Sequence, residues 1–329
     1  MRQAVFETRH APDWRRFEAW LDRHEKLARR ATAQPAADAL PDAEVPRAYR
    51  HVCQHLALAR DREYSPDLVD RLNRLALRGH HLLYGARGSR GARAIEFLVA
   101  GFPRLVRAER ALVIAAACLF FGPLFLLLAA LQSYPDFVYY LMPPEALAKF
   151  QEMYNPGNKR HGMRDADDNV AMFGFYIWNN VKIGFQTFAG GIAFGLGSIF
   201  YLVSNGVLIG ATAGYITQVG YGTPFWSFVS GHSAMELVAI VISGAAGLRL
   251  GGALVAPGQR SRKAALVAAA QPAVRLMYGA AGMFLIAAFI EAFWSPLTAF
   301  PPVTKYVVGA ILWGIVLGYF LFGGRGRAA

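Results

Sequence analysis

From residue 111 onward the chain reads as long apolar runs separated by polar breaks, whereas residues 1–110 carry many charges and set their larger apolar side chains mainly as helical stripes. Residues 111–131 hold 21 consecutive positions without a charge, enough for a helix to cross about 30 Å of hydrocarbon. Pro123 interrupts the run without ending it, which predicts a kink. The later runs predict spans at 183–203, 206–220, 225–247, 277–295 and 303–322. The third of the six is short and rich in glycine, which suits a tilted or re-entrant segment. The pattern predicts an all-α chain: a polytopic membrane helix bundle of about six transmembrane helices behind an N-terminal helical domain.

The head follows a helical period of its own. Asp13 is placed to cap a helix beginning at Trp14, with Phe17, Trp20, Leu21, Leu27 and Ala28 on its apolar side. A proline-bearing break at 34–46 follows. Helices near 47–62 and 66–84 then carry Tyr49, Val52 and Leu56, and Leu68, Leu72, Leu75 and Leu82, as single stripes. Gly85–Gly91 interrupts, and a basic amphipathic helix at 92–110 runs towards the membrane. His51, His55, His80 and His81 have no carboxylate or cysteine at ligand spacing, so they read as packing or surface residues. Between the first two spans, residues 144–154 predict a short helix on the membrane surface, with Leu147, Phe150 and Met153 on one side. Asp165–Asp168 reads as a solvated turn. The chain thus divides into a cytoplasmic head at 1–110, a first span at 111–131, an outer segment at 132–182, a membrane core at 183–322 and a tail at 323–329.

Charge sets the direction of threading. The formal net charge is +12, and 21 of the 34 Lys and Arg precede the first span. With six spans, 28 Lys and Arg fall on the side of the two termini, against five (Lys149, Lys159, Arg160, Arg164 and Lys182) on the other. The positive-inside rule then predicts both termini in the cytoplasm. A basic head beside anionic lipid accounts for the charge without a nucleic-acid partner. Residues 1–30 lack the continuous apolar core of a secretory signal. The two cysteines, Cys53 and Cys118, offer neither a disulfide framework nor metal spacing.

Polar residues within the apolar stretches are the candidate chemistry. Asn179, Asn180, Lys182, Asn205, His232, Glu236 and Glu291 all lie within reach of hydrocarbon, where an ionised side chain costs about 2.5–3.5 kcal/mol on insertion scales. His232 and Glu236 are four apart and share a helix face. H-x-x-x-E lacks the adjoining Glu of the zinc-peptidase pattern, and no second histidine stands in another span. The expectation is a helix-locking pair or a ligand site, with no catalytic residue, metal or cofactor assigned. Lys182 is placed to neutralise Glu236 or Glu291 in a pocket open to the outer face; otherwise it snorkels to the interface. Gly190, Gly191 and Gly195 in the second span and Gly206, Gly210 and Gly214 in the third give surfaces for close helix packing. Ser204–Asn205–Gly206 predicts a tight turn between these spans, with Asn205 capping free backbone groups.

The stretch from Asn179–Asn180 through FAGGI, Asn205–Gly206, His232 with Glu236, and Ala245 to Gly251 resembles the membrane core of the stage II sporulation protein M family. Trp14 and the segments YRHVCQHLALAR and LNRLALRGHHLLYG resemble the heads of members from bacteria that do not sporulate. The resemblance implies a membrane scaffold that gathers peptidoglycan-degrading partners and has no hydrolase activity itself. Three functions follow in order: a scaffold or assembly factor of the cell envelope, a transporter or lipid-handling protein with an outward polar pocket around His232 and Glu236, and an intramembrane enzyme. The partners expected are membrane lipid and other envelope proteins. The glycine faces suit a homodimer as well as packing within one bundle.

Overall fold

In the computed structural model, residues 2–28, 40–83, 90–157 and 166–326 are described. Residues 34–39 and 85–89 of the two predicted breaks, together with Lys159, Arg160, Arg164 and Asp165, lie outside them, as do the side chains of Leu27, Ala28 and Asp167. All regular structure among the described residues is helical, in two compact units, Met1–Ala92 and Arg93–Ala329.

The first unit contains α1 (Gln3–Ala28), α2 (Val45–Asp61) and α3 (Pro66–Leu83). The helix predicted from Trp14 begins eleven residues earlier and runs through Pro12, so Asp13 is interior and caps nothing. The apolar residue Phe6, buried with Trp14, Phe17, Trp20 and Leu21 against Val52, Leu68, Leu72 and Leu75, explains the early start. Burial of these large side chains drives the unit together at roughly 25 cal/mol per Å² of apolar surface. His55 accepts from the Trp14 indole at 3.0 Å and lies tilted against the His10 ring. Burial, then His10 and His51, lowers its pKa to about 4.

The second unit starts with α4 (Arg90–Glu96), a π turn at Phe97–Gly101 and α5 (Phe102–Ala108). The predicted basic helix at 92–110 falls almost wholly within this unit, which begins at Arg93. Its Arg104 and Arg107 donate to the carbonyls of Phe320, Gly323 and Gly324 at 2.6–2.9 Å, which are the free acceptors at the C-terminal end of the last helix. The long helices are α6 (Arg110–Ser133), α9 (Ala166–Ala189), α10 (Leu196–Gln218), α12 (Ser233–Val255), α13 (Arg262–Phe289) and α14 (Pro302–Phe322). Five of the six are long and apolar enough to cross a membrane; α9, with Asn179, Asn180 and Lys182, is not among them. Pro123 sits inside an unbroken α6.

Two boundaries differ from the sequence reading. The chain passes straight through Ser204–Asn205–Gly206 as part of α10, a continuous 23-residue helix. Asn205 caps no hairpin: its Nδ2 donates to Tyr201 O one turn back at 2.7 Å. The reversal lies instead at Gly190–Gly195. There Phe194 and Gly195 take positive φ values of 53° and 85°, and Gly190 meets the backbone of Gly197 too closely for a Cβ on either. Gly191 rests on Gly247, and Gly195 on Gly251, so the hairpin nests on α12. The predicted second span thus begins upstream at Ala166 and takes in the Asn179–Lys182 segment.

Gly206, Gly210 and Gly214 face Phe120, Leu124 and Leu127–Leu131 in turn, so α10 and α6 run parallel with their backbones touching. Two short helices, α7 (Val138–Leu141) and α8 (Pro144–Tyr154), close over the ends of α6 and α10. Leu147 is buried against α10 and only Met153 of the predicted membrane-facing side is exposed, so α8 packs on protein.

Candidate functional site

The predicted fourth span is a broken helix. α11 (Gly222–Val229) stops at a turn over Ser230–His232, and α12 begins at Ser233 with His232 as its N-cap residue. Gly231 makes the break compact, because its bare Cα lies against Trp294 and Ile290 where a Cβ would come within 2.9 Å of the indole. His232 and Glu236 therefore both lie at the start of α12, His232 as its N-cap and Glu236 in its first turn. An acidic side chain is favoured there by the exposed N–H groups of the helix start.

The partner surface is the end of α13. After Phe289 the helix widens into a π turn over Ile290–Trp294, with Ser295 N bonded to Ile290 O. That extra residue turns both Glu291 and Ser295 towards α12, a common use of π turns at functional sites. His232 Nδ1 meets Ser295 Oγ at 3.0 Å, and His232 Nε2 stands 3.7 Å from Glu236 Oε2. One ligand atom from each of His232, Glu236 and Glu291 lies within 4.8 Å of the others. His232 is 4 % exposed.

Lys305, at the start of α14, completes the shell. It is 6 % exposed, and its Nζ donates to Ser295 O at 2.7 Å. Ser230 Oγ donates in turn to Lys305 O, and the Trp313 indole to Ser233 Oγ. A buried ammonium held by a carbonyl is far cheaper than an unpaired one. Tyr154 of α8 comes over the cluster, its ring edge-on to Phe225 and Phe228, and Phe228 is edge-on to His232. Burial first, then Glu291, Tyr176 and Glu236, raises the Tyr154 phenol above its ordinary range.

The remaining predicted residues form no hydrogen bond or ion pair with this cluster among the described residues. Lys182 is exposed on α9 and forms no ion pair with Glu236 or Glu291, so it does not neutralise them. The helical rotation of α9 explains this: Tyr176 and Asn180, four apart, are the buried face, and Lys182 falls on the opposite side. Asn180 is 1 % exposed and its Oδ1 accepts from Asn179 Nδ2 at 3.3 Å. Asn205 is on α10, apart from the cluster as an internal helix bond. Sequence reasoning passed over Ser295, Lys305 and Tyr154. Ser295 stands four residues after Glu291, and Lys305 is the lone charge inside the last apolar run; together these were the available signals.

Residues 111–296 match the family model described as Stage II sporulation protein M, and residues 4–85 match one described as a domain of unknown function (DUF8413). The first match runs from α6 to the residue after Ser295 and so contains His232, Glu236 and Glu291; Lys305 lies beyond it. Neither a curated protein nor a solved structure matches the chain.

Proposed function

The chain belongs to the stage II sporulation protein M family, and on that footing we propose that it is a scaffold or assembly factor of the bacterial cell envelope, embedded in the inner membrane. The observation that carries this reading is the family match across most of the membrane unit. The close glycine packing of α6 on α10, and of the 190–195 hairpin on α12, supports it, because backbone-to-backbone contacts suit a rigid framework for other envelope proteins.

The threading we propose has six crossings with both termini in the cytoplasm. Because α6 and α10 are parallel, the chain has to return between them, and α9, at 24 residues or about 36 Å, is the segment long enough to do so. The lysine and arginine distribution supports the orientation. Reporter fusions after Gly157 and Gly324 are expected on opposite sides of the bilayer; the same side for both would overturn the six crossings. Proximity labelling from native membranes tests the scaffold itself. Reproducible enrichment of envelope-remodelling proteins is expected, and a chain that labels no protein above background contradicts the role.

A second reading, a transporter or lipid-handling protein, is favoured by one observation: ionisable residues gathered at a broken helix. Such breaks are where transporters build binding sites. His232→Gln separates the two. A scaffold keeps its partners with this variant if folding survives, whereas a transport site loses flux at unchanged abundance.

A further inference from the structure

We propose that His232, Glu236 and Glu291 bind a divalent transition-metal ion, of the zinc class, that ties the start of α12 to the π turn of α13. Neither the scaffold nor the transport reading requires an ion, so the inference goes beyond both.

Geometry supplies the first argument. Pairs of ligands on one first-row ion at 2.0–2.1 Å are about 3.3–4.2 Å apart. The imidazole and the Glu236 carboxylate are separated by 3.7 Å, and all three ligand atoms lie within 4.8 Å. The 3.7 Å gap is too long for a hydrogen bond, yet the size that an ion between the two groups would fill. Small side-chain adjustments close the remaining distance to Glu291.

Orientation supplies the second. A histidine that ligates a metal nearly always uses its other ring nitrogen to hold an outer partner, which fixes the ring and its tautomer. His232 has that arrangement: Nδ1 is on the Ser295 hydroxyl, and Ser295 is itself fixed through its carbonyl by Lys305. In the tautomer that donates from Nδ1 to Ser295, the Nε2 lone pair faces the two carboxylates. The histidine is almost completely buried, so its Nε2 has no bulk water to satisfy it.

Charge and donor type supply the third. Two carboxylates this close, in a setting of low dielectric, repel one another, and a cation between them relieves that repulsion. One nitrogen and two oxygens suit zinc or a neighbouring first-row ion, whereas magnesium and calcium favour all-oxygen shells with several waters.

The test uses the full chain, purified in detergent, stripped with a chelator and desalted. Zinc is then added and the retained metal measured per chain, with magnesium as the control. Retention of about one zinc per chain is expected at this site, with a higher thermal midpoint on zinc and none on magnesium. Glu236→Gln and Glu291→Gln, which keep side-chain shape, should each weaken retention by about tenfold or more. Hydrogen exchange on the wild-type chain locates the ion without relying on any variant: zinc should slow exchange in 231–240 and 288–297. Failure of the wild type to retain zinc overturns the proposal. So does zinc-dependent protection confined to the histidines of the head, His10, His51 and His55.

Discussion

In the head, Trp14, Phe17, Trp20, Leu21 and Leu72 fill the centre; the membrane unit also buries large side chains such as Phe102, Phe120, Leu202 and Phe284, but sets among them Ala239, Ala245, Ala246, Ala273, Ala280, Ala287 and Ala288, equally buried, with glycines where backbones touch. The difference follows from the solvent each unit folds in. Water rewards the head for hiding large apolar side chains. Lipid gives no such reward, since a leucine is as well placed in acyl chains as in protein. Helices there gain by close approach and dispersion contact, which small residues allow. Large apolar residues therefore also stand on the outside of the membrane unit, as Phe125, Leu126, Phe200 and Leu321 do. The two units should therefore respond oppositely to changes of side-chain size.

Trp14→Ala is the largest expected effect. It empties the middle of the head and removes the indole donor to His55, at a cost of about 3–5 kcal/mol. Amide exchange in 3–24 and 45–83 should approach unfolded rates. Retention of protection would mean that the head is not held by its large side chains.

Gly206→Leu reverses the logic in the membrane unit, where adding volume is the damage. Any side chain at this position meets the carbonyl of Phe120, and the register with Leu124 and Leu131 leaves no room to slide. Overpacking of this kind costs about 1–3 kcal/mol and more where backbone must move. The measurement is the thermal midpoint and size-exclusion profile of the full chain in detergent. A variant as stable as wild type would remove the claim that α6 and α10 touch through backbone.

Acid should loosen the head by a smaller amount. His55 is held near 4 in the folded state against an ordinary 6.5, and His10 is also lowered, with Arg9, Asp13 and His51 as the charges around them. Both shifts are downward, so the unfolded chain binds more protons below 6.5. Their stabilisation is complete above that pH and is lost as pH falls from 6.5 towards 4. Solvent reaches part of each ring, which limits the expected loss to about 1 kcal/mol. Exchange in 45–61, corrected for intrinsic rate, should rise between pH 7 and pH 4.5 in the wild type and much less in His55→Gln. Equal slopes in the two would exclude these rings as the cause.

Much of this was legible in the sequence, for reasons that also explain the misses. The apolar run at 111–131 and the stripes of the head announce themselves because each obeys one period. The 144–154 helix was found to the residue, yet placed on lipid, because an apolar face does not say what covers it. The missed hairpin is more instructive. Glycine serves as a turn residue and as a packing surface, and in Gly190–Gly195 it serves as both, whereas Ser204–Asn205–Gly206 has turn chemistry in a helix. The nearness of His232 and Glu236 could be read from their spacing. Glu291 and Ser295 reach them only because α13 ends in a π turn, and no simple period reports an extra residue in a helix.

Gly282→Ala is the smallest expected effect and the sharpest discriminator. It lies one turn beyond Gly279 on α13, but whereas Gly279 carries the Phe102 ring where its Cβ would be, Gly282 has nothing within 4 Å. If glycines in this unit exist for close approach, only the first is needed. A methyl at Gly282 then meets open space, and the lower backbone entropy of alanine in a helix gives a gain of up to about 1 kcal/mol. If instead the glycines keep α13 pliable, Gly282→Ala should alter the unit as much as Gly279→Ala does. Thermal midpoints of the two variants, measured side by side, decide between these accounts: a fall at Gly279 with no change or a small rise at Gly282 is the outcome that close packing requires.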